Sequence, residues 1–492
     1  MNQVSLTFQD YSSLVVTVLN NQRGKENCIV MPIPLVKDEE SFTKMNRLFN
    51  ESVIRQTQMQ YQKSSNSDIQ LSSSTLSSYS NYQSYQALFG CDNNILHKVL
   101  LSFDHLQILS KESFNITERE SWWRTRKELD EKLATLIKYV EDLLFGPIKL
   151  LLIPSMMNEF DTMLEECSEF FIDKLRDLLG QSNFDSRIAK LILKSFSAFR
   201  EEADFVESIR YFLLENASSY EPSLMLSIQQ LFYSTFLQAF SERKGGKDLL
   251  FRHCTRVEKQ KIKRKHMVLC LDKLIQQLPL ETMPTIRHMS TSRMPSMLLL
   301  YYHLNRMTEL NGEVKRNNVY YLLNPGGDLS NSEVLFKPIF EKQQNWKGKV
   351  GSSPPEEELY QAFSENDLMI YIGHGTGEKY YNPHKIRRLN RCCPILLMGC
   401  SSGRLKEYGN YEPNGTVLSF LLAGSPFVIA NLWDVTDKDI DRLTEHIISK
   451  WLCNEESQSI CEILAKARDT CVLSSLIGSA TVCYGLPDVM IN

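Results

Sequence analysis

Five short apolar runs in the second half of the chain place the strongest constraint on its fold. They lie between residues 266 and 434 and read HMVLCLD, NVYYLLN, LMIYIGH, PILLMGC and PFVIANLWD. Helix-compatible segments lie between or after them, at 331–343, 355–364, 413–423 and 436–452. Uninterrupted apolar strands that alternate with helices are typical of a mostly parallel sheet covered on both faces. The sequence therefore predicts an α/β domain over residues 256–492.

The first half of the chain has a different pattern. Two β-rich runs, SLVVTVLN and ENCIVMPIPL, lie near the N-terminus, and a Ser-rich stretch with almost no charge follows at 63–86. We expect that stretch to be a flexible loop. Apolar residues then recur every three or four positions over 121–145, 156–180, 186–215 and 222–242. These patterns predict a largely helical docking region with a small β element over residues 1–255.

Composition argues against several functional classes. The net charge of −4 gives no reason to expect direct binding to nucleic acid. No apolar run approaches the roughly 18 residues that a membrane span needs, and the N-terminus lacks the pattern of an export signal. The 12 cysteines show no CxxC pair or regular spacing. We therefore expect reduced thiols in the cytosol or nucleus, no metal site and no cofactor.

Two of the apolar runs end in a histidine and a cysteine beside glycines. His374 lies between Gly373 and Gly375, and Cys400 follows Gly399. Ligands of α/β sheets bind at the carboxyl ends of the strands, so neighbouring strands would bring these side chains together. A cysteine thiolate is a nucleophile, and an imidazole can stabilise its charge or protonate a leaving amine. The backbone N–H groups of Gly375 and Cys400 could then stabilise an oxyanion.

The alternative for each of these residues is a packing role, which is commoner for a single His or Cys at a strand end. Two glycine-flanked candidates on consecutive predicted strands favour catalysis over packing. No carboxylate that would orient His374 is evident from the sequence. Glu378 lies close to it in the chain, but we expect Glu378 to be a solvent-facing loop charge.

Longer segments around the two candidates resemble the separases, cysteine proteases of the caspase-like clan that open cohesin at anaphase. The resemblance rests on IYIGHGTGEKYY, LLMGCSSGRLKEYGNYEPNG and AGSPFVIANLWDVTDKDIDRLTE. It extends through WWRTRKELDEKLATLIKYVEDLLFG, MVLCLDKLIQQLPLETMPTIRHMSTSRMPS and YYLLNPGGDLSNSEVLFKPIF. It implies a caspase-like sheet, a catalytic pair of His374 and Cys400, and cleavage of the cohesin kleisin subunit after arginine.

The same resemblance implies partners and a location. Securin would bind as a pseudo-substrate inhibitor in the substrate groove. We expect the protein in the cytoplasm and nucleus, and with chromosomes and spindle in mitosis. Separases usually carry a long α-solenoid ahead of this region, which 492 residues cannot hold. The chain is therefore expected to be a naturally short separase, a truncated one, or a split one whose further partner is a separate α-solenoid chain.

Cleavage after arginine requires a carboxylate in the pocket, because a buried guanidinium without an acceptor is very costly. NLWDVTDKDIDR supplies, just after the last apolar strand, Asp434, Asp437, Asp439 and Asp441. Asp434 could equally cap the following helix, whereas a helix from Thr436 would place Asp437 and Asp441 on one face. We favour Asp441 over Asp437 for the pocket. Trp433 is either a pocket wall or a core residue.

Other interpretations remain open. Arg287 and Arg293 could bind an acidic substrate residue, although exposure on a helix surface is commoner for such arginines. An inactive pseudoprotease would keep the fold and bind partners through the groove, but the intact His374 and Cys400 argue against it. A phosphate-binding protein would use IGHGTG or NPGGD as a cradle, but neither fits the spacing of such motifs.

Overall fold

The computed structural model describes most of the second half of the chain and the principal elements of the first. The described residues are 2–9, 13–22, 25–34, 95–145, 149, 152–154, 158–180, 186–198, 205–206, 208–209, 222–241, 264–310, 317–409, 411–453 and 458–487. The Ser-rich stretch 63–86 lies outside these residues, and so does part of the predicted helical segment 186–215.

Three antiparallel strands precede the helices. They are β1 (Asn2–Gln9), β2 (Ser13–Gln22) and β3 (Lys25–Pro34). β1 pairs with β2, and β2 pairs with β3. The two β-rich runs of the sequence form β2 and β3, so the predicted β element is present and β1 enlarges it.

Helices follow the three strands. They are α1 (Ile95–Ser113), α2 (Arg119–Leu144), α3 (Asn158–Leu178), α4 (Ser186–Ser195) and α5 (Pro222–Ser241). The apolar positions of α2 that recur at helical spacing are buried, among them Leu129, Leu133 and Leu136. α1 packs against α2, and α5 packs against α3. The helical character predicted for this region is confirmed, and none of the described helices is long and apolar enough to cross a membrane.

Strands and helices alternate in the second half. The elements are β4 (Met267–Leu271), β5 (Thr291–Met294), α6 (Met297–Leu310), β6 (Val319–Leu323), α7 (Ser330–Glu341), β7 (Lys347–Val350), α8 (Glu356–Glu365), β8 (Leu368–Ile372), α9 (Pro383–Ile386), β9 (Ile395–Leu397), β10 (Lys406–Tyr408), β11 (Tyr411–Asn414), α10 (Thr416–Leu422), β12 (Phe427–Asn431), α11 (Asp437–Ile447), α12 (Ile460–Ala467) and β13 (Thr481–Gly485). Each of the five predicted apolar runs contains one strand.

Eleven of the described strands form one sheet, in the order β3-β2-β1-β4-β5-β13-β12-β9-β8-β6-β7, while β10 and β11 form a separate hairpin. From β4 to β7 every pairing is parallel except that of β12 with β13. β1 joins the edge of this mostly parallel sheet by pairing in parallel with β4. Strands β4, β6, β8, β9 and β12 are buried at every position, which explains why their sequences are apolar without alternation. The predicted fold class is confirmed.

Candidate active site

His374 lies in a tight loop directly after β8. Gly375 adopts a positive φ of 61°, a backbone conformation that glycine tolerates best. The hydroxyl of Tyr371, on β8 itself, donates to the His374 carbonyl at 2.7 Å, and the hydroxyl of Tyr381 donates to the Thr376 carbonyl. The two tyrosines therefore fix the backbone of the loop, while His374 remains exposed.

Cys400 lies in a turn directly after β9. The side-chain amide of Asn431, at the end of β12, donates to the Gly399 carbonyl at 3.0 Å. Ser401 has a positive φ of 52°, and its N–H donates to the Trp433 carbonyl at 3.0 Å. Non-glycine residues in the left-handed region are uncommon and cluster at functional sites. The turn that carries Cys400 is therefore held against the end of β12 in a specific, strained conformation.

The two strand ends meet. β8 and β9 are neighbours that pair in parallel, so their carboxyl ends lie at the same edge of the sheet. A Cβ atom built on Gly399 would lie only 1.9 Å from the carbonyl oxygen of Gly375. No side chain fits there, so the backbone of the Cys400 turn is in direct contact with the loop that carries His374. The structure thus brings both predicted residues to one edge.

Asp328, which the sequence analysis did not identify, is the partner of His374. The Nε2 atom of His374 lies 3.0 Å from Oδ2 of Asp328, and the two side chains are 60% and 61% exposed. Asp328 follows β6, the strand that flanks β8 on the side opposite β9. A Cβ atom on Gly326 would lie 2.9 Å from Oδ1 of Asp328, so the glycine leaves room for this carboxylate. Asp328 also lies just after an apolar run, in NPGGD, so its place beyond a strand end is visible in the sequence.

The Cys400 thiol is half-buried and donates to a backbone carbonyl instead of to the imidazole. Its Sγ atom lies 3.3 Å from the carbonyl oxygen of Val435, which accepts the hydrogen bond. Burial raises the pKa of the Cys400 thiol, and the carboxylates of Asp434 and Asp437 raise it further. The side chain is therefore a neutral thiol at rest. For the predicted catalytic pair, the imidazole of His374 would have to turn towards the sulfur, and such catalytic bonds often tighten only when substrate binds.

The two predicted oxyanion donors are available. Neither the Gly375 N–H nor the Cys400 N–H donates to another residue in the part of the chain that the structure describes. Both groups lie at the contact between the two strand ends. Their role in stabilising an oxyanion stays a prediction.

Asp441 is a buried carboxylate on α11. It is 7% exposed, and its Oδ2 atom accepts a hydrogen bond of 2.7 Å from the hydroxyl of Ser332 on α7. Burial raises the pKa of Asp441 to about 6; the Ser332 hydrogen bond lowers it, and nearby Asp437 and Glu445 raise it. Among the ion pairs of the described residues, none includes Asp441. A carboxylate without a cation in this position suits a pocket for a guanidinium, although that role is still a prediction.

The carboxylate of Asp434 already has two partners within the protein. Its Oδ1 atom accepts a 2.5 Å hydrogen bond from the hydroxyl of Ser401, and its Oδ2 atom lies 3.8 Å from the Lys111 ammonium of α1. The residue at the N-terminal cap of α11 is Thr436. This is the helix start that places Asp437 and Asp441 on one face. The interpretation of Asp434 as the cap is therefore wrong. Asp439 is buried as well, and it accepts hydrogen bonds from two backbone N–H groups before β13.

Trp433 has the contacts of a core residue. It is 4% exposed, and its Nε1 atom donates to the Leu476 carbonyl at 2.7 Å. Its ring meets the ring of Phe103 edge to face, with centroids 5.6 Å apart. A role in the wall of the pocket stays a prediction.

The two arginines after β4 form ion pairs. Arg293 lies on β5 and is fully buried, with its Nη2 atom 2.5 Å from Oε2 of Glu281. Arg287 pairs with Asp469 at 2.7 Å. The interpretation of both as solvated helix surface is wrong, and Arg293 has no access to a substrate.

A mostly parallel sheet with a thiol and an imidazole at adjacent carboxyl ends is the arrangement of a caspase-like cysteine protease. In the part of the chain that the structure describes, no group of three or more His, Cys, Asp or Glu side chains could hold a metal ion. The family model of the separin protease domain matches residues 18–440. The chain belongs to the separin, or separase, family.

Relatives agree with this assignment. Separin of Mus musculus is 32% identical over 401 residues, which cover 80% of this chain and 17% of the relative. Separin of Schizosaccharomyces pombe is 31% identical over 404 residues, which cover 76% of this chain and 21% of the relative. The chain thus spans about a fifth of the length of these curated relatives.

A solved structure shows the same fold. The crystal structure of the Saccharomyces cerevisiae separase–securin complex at 2.6 Å resolution matches with a TM-score of 0.70 and 23% identity. The match covers 99% of this chain and 30% of that chain.

Proposed function

We propose that the chain is a cysteine endopeptidase of the separase type. The observation that carries this proposal is the contact between the two strand ends, where Gly399 lies against the Gly375 carbonyl and leaves no room for a side chain. This contact fixes the backbones of His374 and Cys400 at one sheet edge. Membership of the separin family supports a thiol protease as the activity of that edge.

The proposed reaction begins with a proton transfer. His374 turns from Asp328 towards Cys400 and takes the thiol proton, and the thiolate attacks the scissile carbonyl carbon. The N–H groups of Gly375 and Cys400 donate to the developing oxyanion. The protonated imidazole of His374 then gives its proton to the leaving amine, and water hydrolyses the acyl-enzyme.

The proposed substrate is the cohesin kleisin subunit, cut after an arginine to trigger sister-chromatid separation. Asp441 is the favoured acceptor for the substrate guanidinium, because it is buried and carries a negative charge at neutral pH without a cation of its own among the described residues. Asp437 and Asp434 are the alternatives. Asp434 is the weakest of the three, because Lys111 already pairs with it.

The proposal extends to partners and location. The similar Saccharomyces cerevisiae structure is a separase–securin complex. We propose that securin binds this chain as a pseudo-substrate in the groove beside Cys400. The proposed location is the cytoplasm and nucleus, with chromosomes and spindle in mitosis. We expect no direct contact with nucleic acid or membrane and no cofactor.

A second candidate function is that of an inactive pseudoprotease that binds partners. The observation that favours it is that His374 bonds to Asp328 while Cys400 bonds to Val435, so the two side chains are engaged separately at rest.

An arginyl acyloxymethyl ketone probe distinguishes the two candidates. An active protease should be labelled at Cys400, and labelling should fall at least tenfold in His374→Ala and vanish in Cys400→Ser. A lysyl or neutral probe of the same length serves as the matched reagent. Absence of labelling in the folded wild-type chain would support the pseudoprotease, and equal labelling of Cys400→Ser would exclude this thiol as the nucleophile.

A further inference from the structure

The segment 433–435 links the thiol to the helical region. The carbonyl of Val435 accepts the hydrogen bond of the Cys400 thiol. Trp433, two residues earlier, is held by the carbonyl of Leu476 through its indole N–H at 2.7 Å. The position of the segment 433–435 beside the sulfur therefore depends on where Leu476 lies.

Leu476 is in turn held by Asp130 of α2. The backbone N–H groups of Ser475 and Leu476 donate to the same carboxylate oxygen, Oδ1 of Asp130, at 2.9 Å and 2.6 Å. Charge-assisted bonds of this kind are about twice as strong as bonds between neutral groups. A helix more than 300 positions earlier in the chain thus fixes the acceptor of the Trp433 indole.

Helix α1 adds two contacts to the same segment. Phe103 packs edge to face on the Trp433 ring, with centroids 5.6 Å apart. The ammonium of Lys111 lies 3.8 Å from the carboxylate of Asp434, which also accepts the hydroxyl of Ser401 beside the thiol. Helix α1 therefore contacts the segment 433–435 directly, whereas α2 acts on it through Leu476.

Asp439 of α11 holds the residues just before those that Asp130 of α2 holds. Asp439, at the start of α11, accepts the N–H groups of Val472 and Leu473, which precede the residues that Asp130 holds. The buried guanidinium of Arg126 on α2 interacts with both Asp439 and Asp130. The two carboxylates thus hold backbone N–H groups on both sides of Ser474, and Asp439 also pairs with Arg442 at 2.5 Å.

We propose that Asp130 is a positioning residue for the catalytic site. It acts through Leu476 and Trp433 on the segment 433–435, whose Val435 carbonyl accepts the hydrogen bond of the Cys400 thiol. The helical region is then part of the catalytic apparatus as well as a docking region. The kinetic arm of the test rests on the proposed protease function, whereas the thiol-reactivity arm does not.

The test compares variants of the full 492-residue chain. Asp130→Ala removes the acceptor, whereas Asp130→Asn keeps an oxygen that can accept both N–H groups. Trp433→Phe keeps an aromatic ring beside Phe103 but removes the indole N–H together with part of the buried ring volume. Glu131→Gln is the matched control, because this neighbouring carboxylate is exposed on the same helix.

The kinetic readout is kcat and KM for an arginyl peptide, measured well below each melting temperature. Because a misplacement of about 1 Å can cost about a hundredfold in rate, kcat should fall about 10- to 100-fold in Asp130→Ala, with KM changed less. Trp433→Phe should show the same pattern. Asp130→Asn should recover most of the loss, and Glu131→Gln should match the wild type.

The second readout is the rate at which iodoacetamide alkylates Cys400, resolved from the other cysteines by peptide mass spectrometry. Displacement of the segment 433–435 exposes the thiol, so Cys400 should be alkylated several-fold faster in Asp130→Ala and in Trp433→Phe. If both variants melt earlier but keep the wild-type kcat and the wild-type alkylation rate, Asp130 only stabilises the fold and the proposal is overturned. If the wild type cleaves no arginyl peptide, the proposed function fails and the alkylation rates alone decide on the positioning role.

Discussion

Asp441→Asn removes the charge of a buried carboxylate while keeping its shape, so it separates recognition of arginine from folding. Asp441 is 7% exposed and bonds to Ser332, so water screens it little. A charge-assisted, partly desolvated pair with a guanidinium contributes about 2–4 kcal/mol, which predicts a fall in kcat/KM of about 30- to 1000-fold for an arginyl peptide. A matched peptide with a neutral residue at the cut should lose little.

The pKa of Asp441 gives the same variant a second signature. Burial raises this pKa from 3.8 to about 6, so between these values the folded chain holds a proton that the unfolded chain has released. Ionisation of Asp441 therefore destabilises the fold as pH rises through this interval. At pH 7 Asp441→Asn should be more stable than the wild type by about 1–3 kcal/mol, after allowance for residual solvation.

Substrate preference should titrate with the same group. In the wild type the ratio of arginyl to neutral kcat/KM should fall as pH drops through about 6, because the protonated acid no longer attracts the guanidinium. In Asp441→Asn this ratio should be low and independent of pH.

The assay is kcat/KM for the two peptides across pH, together with urea unfolding at pH 7. Glu365→Gln, which changes an exposed carboxylate at the end of α8 that has no part in the pKa shift of Asp441, is the control that should change neither. If both peptides lose activity equally and the variant unfolds more easily, Asp441 has a structural role and the reasoning is refuted. Asp437→Asn then tests the carboxylate one turn earlier.

Three further predictions follow from the same geometry. Gly399→Ala should lower the free energy of unfolding by about 3 kcal/mol or more, because its Cβ would lie 1.9 Å from the Gly375 carbonyl; an unchanged urea midpoint would contradict the contact. Asp328→Asn should reduce kcat less than about tenfold, because both it and His374 are exposed to water; a loss of a hundredfold would make Asp328 a full member of the catalytic group. EDTA should leave peptide cleavage unchanged, and a loss that added zinc restores would refute the prediction that no metal takes part.

The strands that the sequence predicted are those buried on both faces. β4, β6, β8, β9 and β12 appear as apolar runs because neighbours cover both of their faces. β5 and β7 do not appear as apolar runs, because their sequences are TSRM and KGKV. β7 is a partly exposed edge strand, and β5 contains the buried Arg293, whose partner Glu281 lies in a separate segment. Polar residues satisfied by distant partners do not show in local hydropathy.

The candidate site was predictable to the extent that it depends on single strand ends. His374 and Cys400 each follow an apolar run, and glycines mark both turns, so the local sequence was sufficient. Asp328 also follows an apolar run, but its pairing with His374 depends on the order β9-β8-β6 in the sheet, which the chain order of the strands does not reveal. The four aspartates are equivalent in sequence. The structure separates them because Lys111 comes from a distant helix to Asp434, and Ser332 comes from another to Asp441.

Cleavage of a kleisin fragment tests the central claim most directly. The wild-type chain, Cys400→Ser and His374→Ala are incubated with the fragment, and the new N-terminus is identified by mass spectrometry. A catalytic edge formed by β8 and β9 predicts one product, whose N-terminus follows an arginine. The wild type should form it, and both variants should form it far more slowly or not at all. Cleavage by Cys400→Ser at the wild-type rate, or no cleavage by the folded wild-type chain, would contradict the account.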